Sequence, residues 1–287
     1  KNNGEESIRY FANKFDSFDD SESLVLTRSD LKKEYDSFDL KSRMILEQTA
    51  KQICNFAQAH RKSIQDLTTN VPGGTAGHNI IPMQRVGCYA PGGRYPLPSS
   101  VLMTACTAKI AGVSEVVVAS PKPTSITKVA AYIAGADYFL QIGGAHAIAA
   151  MAYGFSNFEP CNCIVGPGNK WVTAAKKIVS GDVQIDMLAG PSELLIIADH
   201  TANPAIVAAD LLAQAEHDDD AIPMLICTDK NLISLVQLEL EKQIENLSTA
   251  ETAKRACRNG FMVFCENMEQ AIDLSNKMAP EHLQIQT

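Results

Sequence analysis

The sequence predicts an α/β protein of two successive, incomplete Rossmann-like units with parallel sheets, preceded by N-terminal helices. Three observations predict it. From Val86 onward, short apolar runs alternate with helical patterns in strand-then-helix order, as parallel sheets covered on both faces require. The alternation lapses after Gly181 and restarts at Glu193, which makes two series. Before Val86 the apolar residues recur at helical spacing instead: Ile8, Phe11, Ala12 and Phe15, then Met44, Ile45, Thr49, Ile53, Cys54 and Phe56.

The elements follow in order. Residues after Asp39 form one long amphipathic helix to about Lys62. Pro72-Gly-Gly74 and Pro82 then break regular structure and mark a boundary near residue 84. In the first series, strands are expected at Val86 to Tyr89, Glu115 to Ala119, Tyr138 to Ile142 and Cys163 to Val165. Helices are expected around Val101 to Ala111, Ser125 to Ala134, Ala145 to Tyr153 and Lys170 to Val179. In the second, strands at Leu194 to Ala198, Ile222 to Cys227, Phe261 to Cys265 and from Leu283 alternate with helices Pro204 to His217, Leu232 to Leu247 and Met268 to Met278.

Composition narrows the function. With 46% hydrophobic and 20% charged residues, this is an ordinary globular composition, and no apolar run approaches the length of a membrane span. A net charge of −8 argues against a nucleic-acid partner, since phosphate recognition needs a basic surface. Eight cysteines lack framework spacing and read as reduced core thiols, including the Cys161-x-Cys163 pair, which no second pair completes as a zinc site.

Chemistry is expected where strand-to-helix turns converge at the carboxyl ends of strands. Three such turns are glycine-rich: Tyr89-Ala-Pro-Gly-Gly-Arg94, Gly143-Gly-Ala-His146 and Gly166-Pro-Gly-Asn169. Glycines let a backbone approach a phosphate, and helix N-termini favour anions, so a dinucleotide pyrophosphate is one occupant; tight turns alone are the other reading, since none is G-x-G-x-x-G. Gln214 and His217, three apart on one helix face, are candidate ligands of one metal ion. Glu281 and His282 pair a carboxylate with an imidazole, two groups suited to moving protons. Ser192 is a candidate hydrogen-bond partner for substrate, without the G-x-S-x-G context of a serine hydrolase. Asp218-Asp-Asp220 reads as solvated surface, and His60, His78 and His200 as surface or hydrogen-bonded histidines.

Together these phrases resemble the histidinol dehydrogenase family. The resemblance is carried by Val86-Gly-Cys-Tyr-Ala-Pro-Gly-Gly93, Gly143-Gly-Ala-His-Ala-Ile-Ala-Ala150, Gly166-Pro-Gly-Asn169, Ile185-Asp-Met-Leu-Ala-Gly-Pro-Ser-Glu193, Asp210-Leu-Leu-Ala-Gln-Ala-Glu-His217 and Pro280-Glu-His-Leu283, in order and along the whole chain. It implies zinc- and NAD-dependent oxidation of L-histidinol through L-histidinaldehyde to L-histidine. By the same carry-over Gln214 and His217 are zinc ligands that also hold substrate, His282 is the base, Glu281 activates water, Ser192 touches substrate, and Tyr89, His146 and Asn169 touch the cofactor. His146 departs from the commoner glutamine; an imidazole replaces an amide as donor.

The family continues beyond the position of Thr287 with a segment that supplies an aspartate and a histidine to the zinc, and with elements exchanged in a homodimer. Two protein ligands are too few for a tight zinc site, so the remainder are expected from that segment. Residues 1–84 plus 190–287 are expected to form one discontinuous α/β domain, with 85–189 an inserted NAD-binding domain. A cytoplasmic setting, or a plastid, suits histidine biosynthesis. Two other readings stand beside this one: a dehydrogenase of another primary alcohol, such as a sulfonated diol, and an inert nucleotide- or metal-binding protein. A cysteine-dependent aldehyde dehydrogenase is disfavoured, because Cys88 lies in a strand and Cys106 mid-helix.

Overall fold

The computed structural model describes residues 4–19, 21–92, 95–188, 190 and 192–287. The chain divides into two compact units at Ala189/Gly190, each with its own sheet.

The first unit opens with α1 (Gly4–Phe11), a π-helical turn (Ala12–Asp16), β1 (Val25–Thr27), α2 (Arg28–Ser37) and the 22-residue α3 (Leu40–Arg61). A hairpin, β2 (Leu67–Val71) and β3 (Gly74–His78), precedes the alternating series. That series is β4 (Arg85–Tyr89), α4 (Pro98–Ile110), β5 (Glu115–Ala119), α5 (Ser125–Ile133), β6 (Tyr138–Leu140), α6 (Gly144–Tyr153), β7 (Cys163–Val165), α7 (Lys170–Val179) and the two-residue β8 (Gln184–Ile185). The sheet order is β1-β6-β5-β4-β7-β8, with β1 antiparallel to β6 and the other pairings parallel. The five parallel strands thus run 3-2-1-4-5, the doubly wound order, and its switch point falls between β4 and β7.

Side-chain alternation builds two cores. Val86, Cys88, Val116, Val118 and Phe139 face α4 and α5, with Leu31, Leu46 and Ala50 of α2 and α3 completing that layer. Tyr89, Val117, Ala119, Leu140 and Ile164 face α6 and α7, joined by Ile8 of α1. Strands buried on both faces explain why β4 and β5 read as continuous apolar runs.

Two expectations for this half are corrected. Residues 1–84 were grouped with 190–287, whereas β1 pairs with β6 and the N-terminal helices fill both cores of the first sheet. The cause is the apolar stripe of α2 and α3, which is buried against α4 and α5. The segment around Pro72 was expected to lack regular structure, yet Val71 pairs with Gly74 across a Pro72-Gly73 turn. Gly73 has φ +87°, the value that the third position of a type II turn demands after proline.

The second unit contains β9 (Glu193–Ala198), α8 (Pro204–Ala215), β10 (Ile222–Cys227), α9 (Lys230–Ile244), α10 (Ala250–Ala256), β11 (Phe261–Phe264), α11 (Met268–Met278) and β12 (His282–Gln286). All pairings are parallel, in the order β11-β10-β9-β12, so the winding again reverses beside the first strand. Ile196, Ala198, Leu225 and Cys227 face α8 and α9, while Leu195, Ile197, Met224 and Ile226 face the side covered by Ala271 of α11. The side chains of Asn203, Asp229 and Asn267 cap α8, α9 and α11 by accepting backbone N–H bonds. At the end of α11, Ala279 takes a left-handed conformation at φ 47° and Pro280 forbids continuation. The chain therefore turns directly into β12, which sets Glu281 and His282 at the strand's start. Among the described residues no helix is long and apolar enough to cross a membrane.

Candidate functional site

In the first unit, Tyr89 ends β4 and Asn169 follows β7, so both stand at the carboxyl edge on either side of the switch point. The Tyr89 ring is buried, and burial pushes its phenol up from the ordinary value, so the hydroxyl stays protonated. That hydroxyl accepts a 3.0 Å bond from the Gly144 N–H at the start of α6. Asn169 caps α7, its side-chain oxygen accepting from Trp171 N at 3.1 Å and Val172 N at 3.2 Å.

His146 is anchored by a residue that the sequence reading missed. Its Nε2 lies 2.7 Å from Oδ2 of Asp16, which ends the π-helical turn, and the same oxygen accepts from Gly143 N at 2.9 Å. A carboxylate only accepts, so Nε2 carries the proton. The two side chains are 9% and 8% exposed, and the imidazole stacks on Phe11 and Phe15. Two of the amides at the start of α6, those of Gly143 and Gly144, are therefore already satisfied, by Asp16 and Tyr89. Of the first glycine-rich turn, Gly93 and Arg94 lie outside the described residues.

The third turn is clamped. Gly166 follows β7 at φ +115°, its N–H donating to Asp186 Oδ2 at 2.8 Å and its carbonyl accepting from Lys176 Nζ at 3.0 Å. Lys176, 5% exposed, also pairs with Asp186 Oδ1. Its one sequence signal is a lysine within the apolar stripe Val172, Ala175, Val179 of α7.

In the second unit the candidate residues gather at the amino edge of the sheet, the opposite edge from the one where open α/β sheets bind nucleotides. Ser192 immediately precedes β9, and its carbonyl accepts from Ile222 N, at the start of β10, at 3.0 Å. His282 starts β12 in register with Leu194, and its Nδ1 lies 2.9 Å from the Glu193 carbonyl. Since that carbonyl only accepts, Nδ1 carries hydrogen and the neutral ring keeps its lone pair on Nε2, free to act as a base. The Glu281 carboxylate is 3.8 Å from the same Nδ1, and both side chains are open to solvent, His282 at 59% and Glu281 at 41%.

Gln214 and His217 approach this edge from α8. The helix ends at Ala215, two residues earlier than its pattern predicts, because Asp218 turns the chain by accepting from Asp220 N. His217 is kept near Gln214 by a closing turn in which its N–H donates to the Gln214 carbonyl at 3.3 Å. The Gln214 amide nitrogen is buried and has no hydrogen-bond partner among the described residues. Leaving such a group unsatisfied costs about 1–3 kcal/mol, and a half-turn of the amide presents its carbonyl oxygen at the same point. This unsatisfied group fits a ligand supplied from outside the described residues, and an amide oxygen with an imidazole nitrogen is a donor pair zinc accepts. Among the described residues no group of three or more His, Cys, Asp or Glu side chains is gathered to hold a metal.

The thiols offer no competing site. Six of the eight are buried, all are free, and burial pushes Cys88, Cys106 and Cys161 up to about 12, which leaves them protonated and inert at neutral pH.

Comparison with known proteins identifies the family. The sequence profile of the histidinol dehydrogenase family matches residues 1–287. Histidinol dehydrogenase of Thermus thermophilus is 49% identical over 214 residues, covering 74% of this chain and 52% of that protein. The Methanocaldococcus jannaschii protein of the same name is 39% identical over 292 residues, covering all of this chain and 68% of its own. The crystal structure of histidinol dehydrogenase from Elizabethkingia anophelis superposes with a TM-score of 0.90 at 31% identity, over 98% of this chain and 66% of that one. The chain thus spans about half to two thirds of the length of these relatives. By sequence over its full length and by fold, the chain belongs to the histidinol dehydrogenase family.

Proposed function

We propose that this protein oxidises L-histidinol through L-histidinaldehyde to L-histidine, with zinc and two NAD per turnover, as a homodimer in its full-length form. The observation that carries the reading is the amino edge of the second unit: Ser192, Gln214, His217, Glu281 and His282, which the family resemblance assigns to substrate, metal and proton transfer, border β9, α8 and β12 at that edge. Zinc, when bound, would supply a Lewis acid for the substrate's polar groups, and NAD would supply the hydride acceptor. Gln214 and His217 would hold the metal, with further ligands from outside this chain's described residues.

His282 receives the hydroxyl proton at Nε2 as the alcohol carbon is oxidised. Its Nδ1 bond to Glu193 fixes the ring's tautomer and orientation throughout. Glu281, a carboxylate open to solvent beside the imidazole, takes a proton from the water that hydrates the aldehyde. The hydrate's one C–H leaves as the reaction's second hydride, its two hydroxyl protons pass through His282 and Glu281 to solvent, and the product is a carboxylate. Ser192 donates to the substrate. In the first unit, Tyr89 and Asn169 are assigned to the dinucleotide; His146 reaches it only through a ring that Asp16 and two phenylalanines already hold.

The test is to supply the protein, at the length its gene encodes, with zinc, L-histidinol and NAD, and to count NADH by absorbance. Two NADH per histidinol consumed are expected. Turnover of a sulfonated diol or another primary alcohol, with none of histidinol, would replace the substrate assignment, and no NADH with any alcohol would leave the inert binding protein.

A further inference from the structure

Asp210 stands at the middle of α8, one turn before Gln214, and makes no part of the reaction just described. Its Oδ2 accepts two bonds from β12, one from Gln284 Nε2 at 2.6 Å and one from Gln286 Nε2 at 2.8 Å. Gln284 and Gln286 share a strand face with His282, because side chains alternate along β12. The register confirms that this is the face covered by α8: His282, Gln284 and Gln286 pair with Leu194, Ile196 and Ala198, and the last two pack on Val207, Ala208 and Leu211. The opposite face carries the exposed Leu283 and Ile285.

Helix and strand run antiparallel here, and their spacings match. Four helical residues advance about 6 Å and two strand residues about 6.6 Å. With Asp210 held level with Gln284 and Gln286, the step from Asp210 to Gln214 runs alongside the step from Gln284 to His282. Among the described residues β12 pairs with β9 alone, and this carboxylate ties the same strand to the helix.

We infer that Asp210 is the positioning residue that registers β12 against α8, and so sets His282 and Glu281 opposite Gln214 and His217. The inference rests on the proposed function for the identity of those two pairs. A carboxylate suits the task because one oxygen accepts from both amides at once and carries the charge that strengthens each bond.

The experiment compares full-length wild type with Asp210→Ala and Asp210→Asn, measuring zinc affinity by equilibrium dialysis, kcat and KM, and amide exchange across β12. Loss of a group that orients metal ligands typically costs 10- to 100-fold in metal affinity or activity. Asp210→Ala is expected to lose at least about tenfold in both zinc affinity and kcat, with KM for NAD unchanged and faster exchange at Gln284 to Gln286. Asn accepts from one glutamine and donates to the other's turned amide, so Asp210→Asn should restore most of the loss. If Asp210→Ala fails to fold, the Gln284→Leu/Gln286→Leu pair removes the same bonds and should show the same loss. Zinc affinity and kcat within twofold of wild type in Asp210→Ala, or in the Gln284→Leu/Gln286→Leu pair, would overturn the inference. Failure of the wild type itself to bind zinc or form NADH would instead strike the proposed function.

Discussion

Replacing His282 by Asn is expected to lower kcat by about 10²- to 10⁴-fold, the range over which a positioned general base contributes. The variant isolates Nε2. Asn retains a donor where Nδ1–H meets the Glu193 carbonyl, so the start of β12 keeps its tie to β9. It offers no basic nitrogen where Nε2 stood. Because His282 is largely open to solvent, the change in stability should stay within about 0.5 kcal/mol. Steady-state kinetics with histidinol and NAD, alongside a thermal melt, reads both. A kcat within threefold of wild type would remove His282 from the chemistry.

Gly166→Ala should be the most destabilising single methyl group in the first unit. The added Cβ would overlap the carbonyl oxygen of Tyr89, a backbone atom at the end of β4, and φ +115° is a conformation that alanine rarely adopts. The neighbours cannot give way, since Gly166 is held on one side by Asp186 and on the other by Lys176. Overpacking and backbone strain together come to about 3–5 kcal/mol. The urea midpoint should fall accordingly with m unchanged. Gly181→Ala is the control: nothing lies within 4 Å of its Cβ position, and its effect should stay within about 0.5 kcal/mol. Equal midpoints for the two variants would show that the clamp on the third turn is slack.

The strand-and-helix alternation from Val86 onward was legible because strands buried on both faces and helices of 9 to 15 residues write different periods into a sequence. What remained hidden was what long-range contacts decide. Nothing in Val25-Leu-Thr27 announces an antiparallel edge strand, since three residues carry no period and the partner, Tyr138 to Leu140, lies over a hundred residues away. The hairpin about Pro72-Gly73 did carry a signal, a proline followed by a glycine suited to positive φ, but its strands are exposed throughout and show no apolar alternation. Site residues that resemble family motifs were visible as motifs. Their supports were not: Asp16 reaches His146 across 130 positions, and Asp210 reaches Gln284 across 74.

The edge of the sheet was also unreadable. The general rule for open α/β sheets pointed to carboxyl ends, and in the first unit Tyr89 and Asn169 do lie there. In the second, Ser192 and Glu281 precede their strands, His282 opens β12, and Gln214 and His217 lie at the end of a helix that runs the other way, so all five stand at the amino edge. A sequence shows that a residue borders a strand. Which borders come together follows from the parallel pairing of β9, β10 and β12.

The central claim is that this amino edge holds the metal, and an anomalous difference map at the zinc edge, from crystals of the full-length protein grown with zinc, tests it most directly. The account predicts one peak per chain, about 2.0–2.2 Å from the Gln214 side-chain oxygen and a His217 ring nitrogen. A peak elsewhere, such as beside Cys161 and Cys163, or none near α8 at full zinc loading, would contradict it.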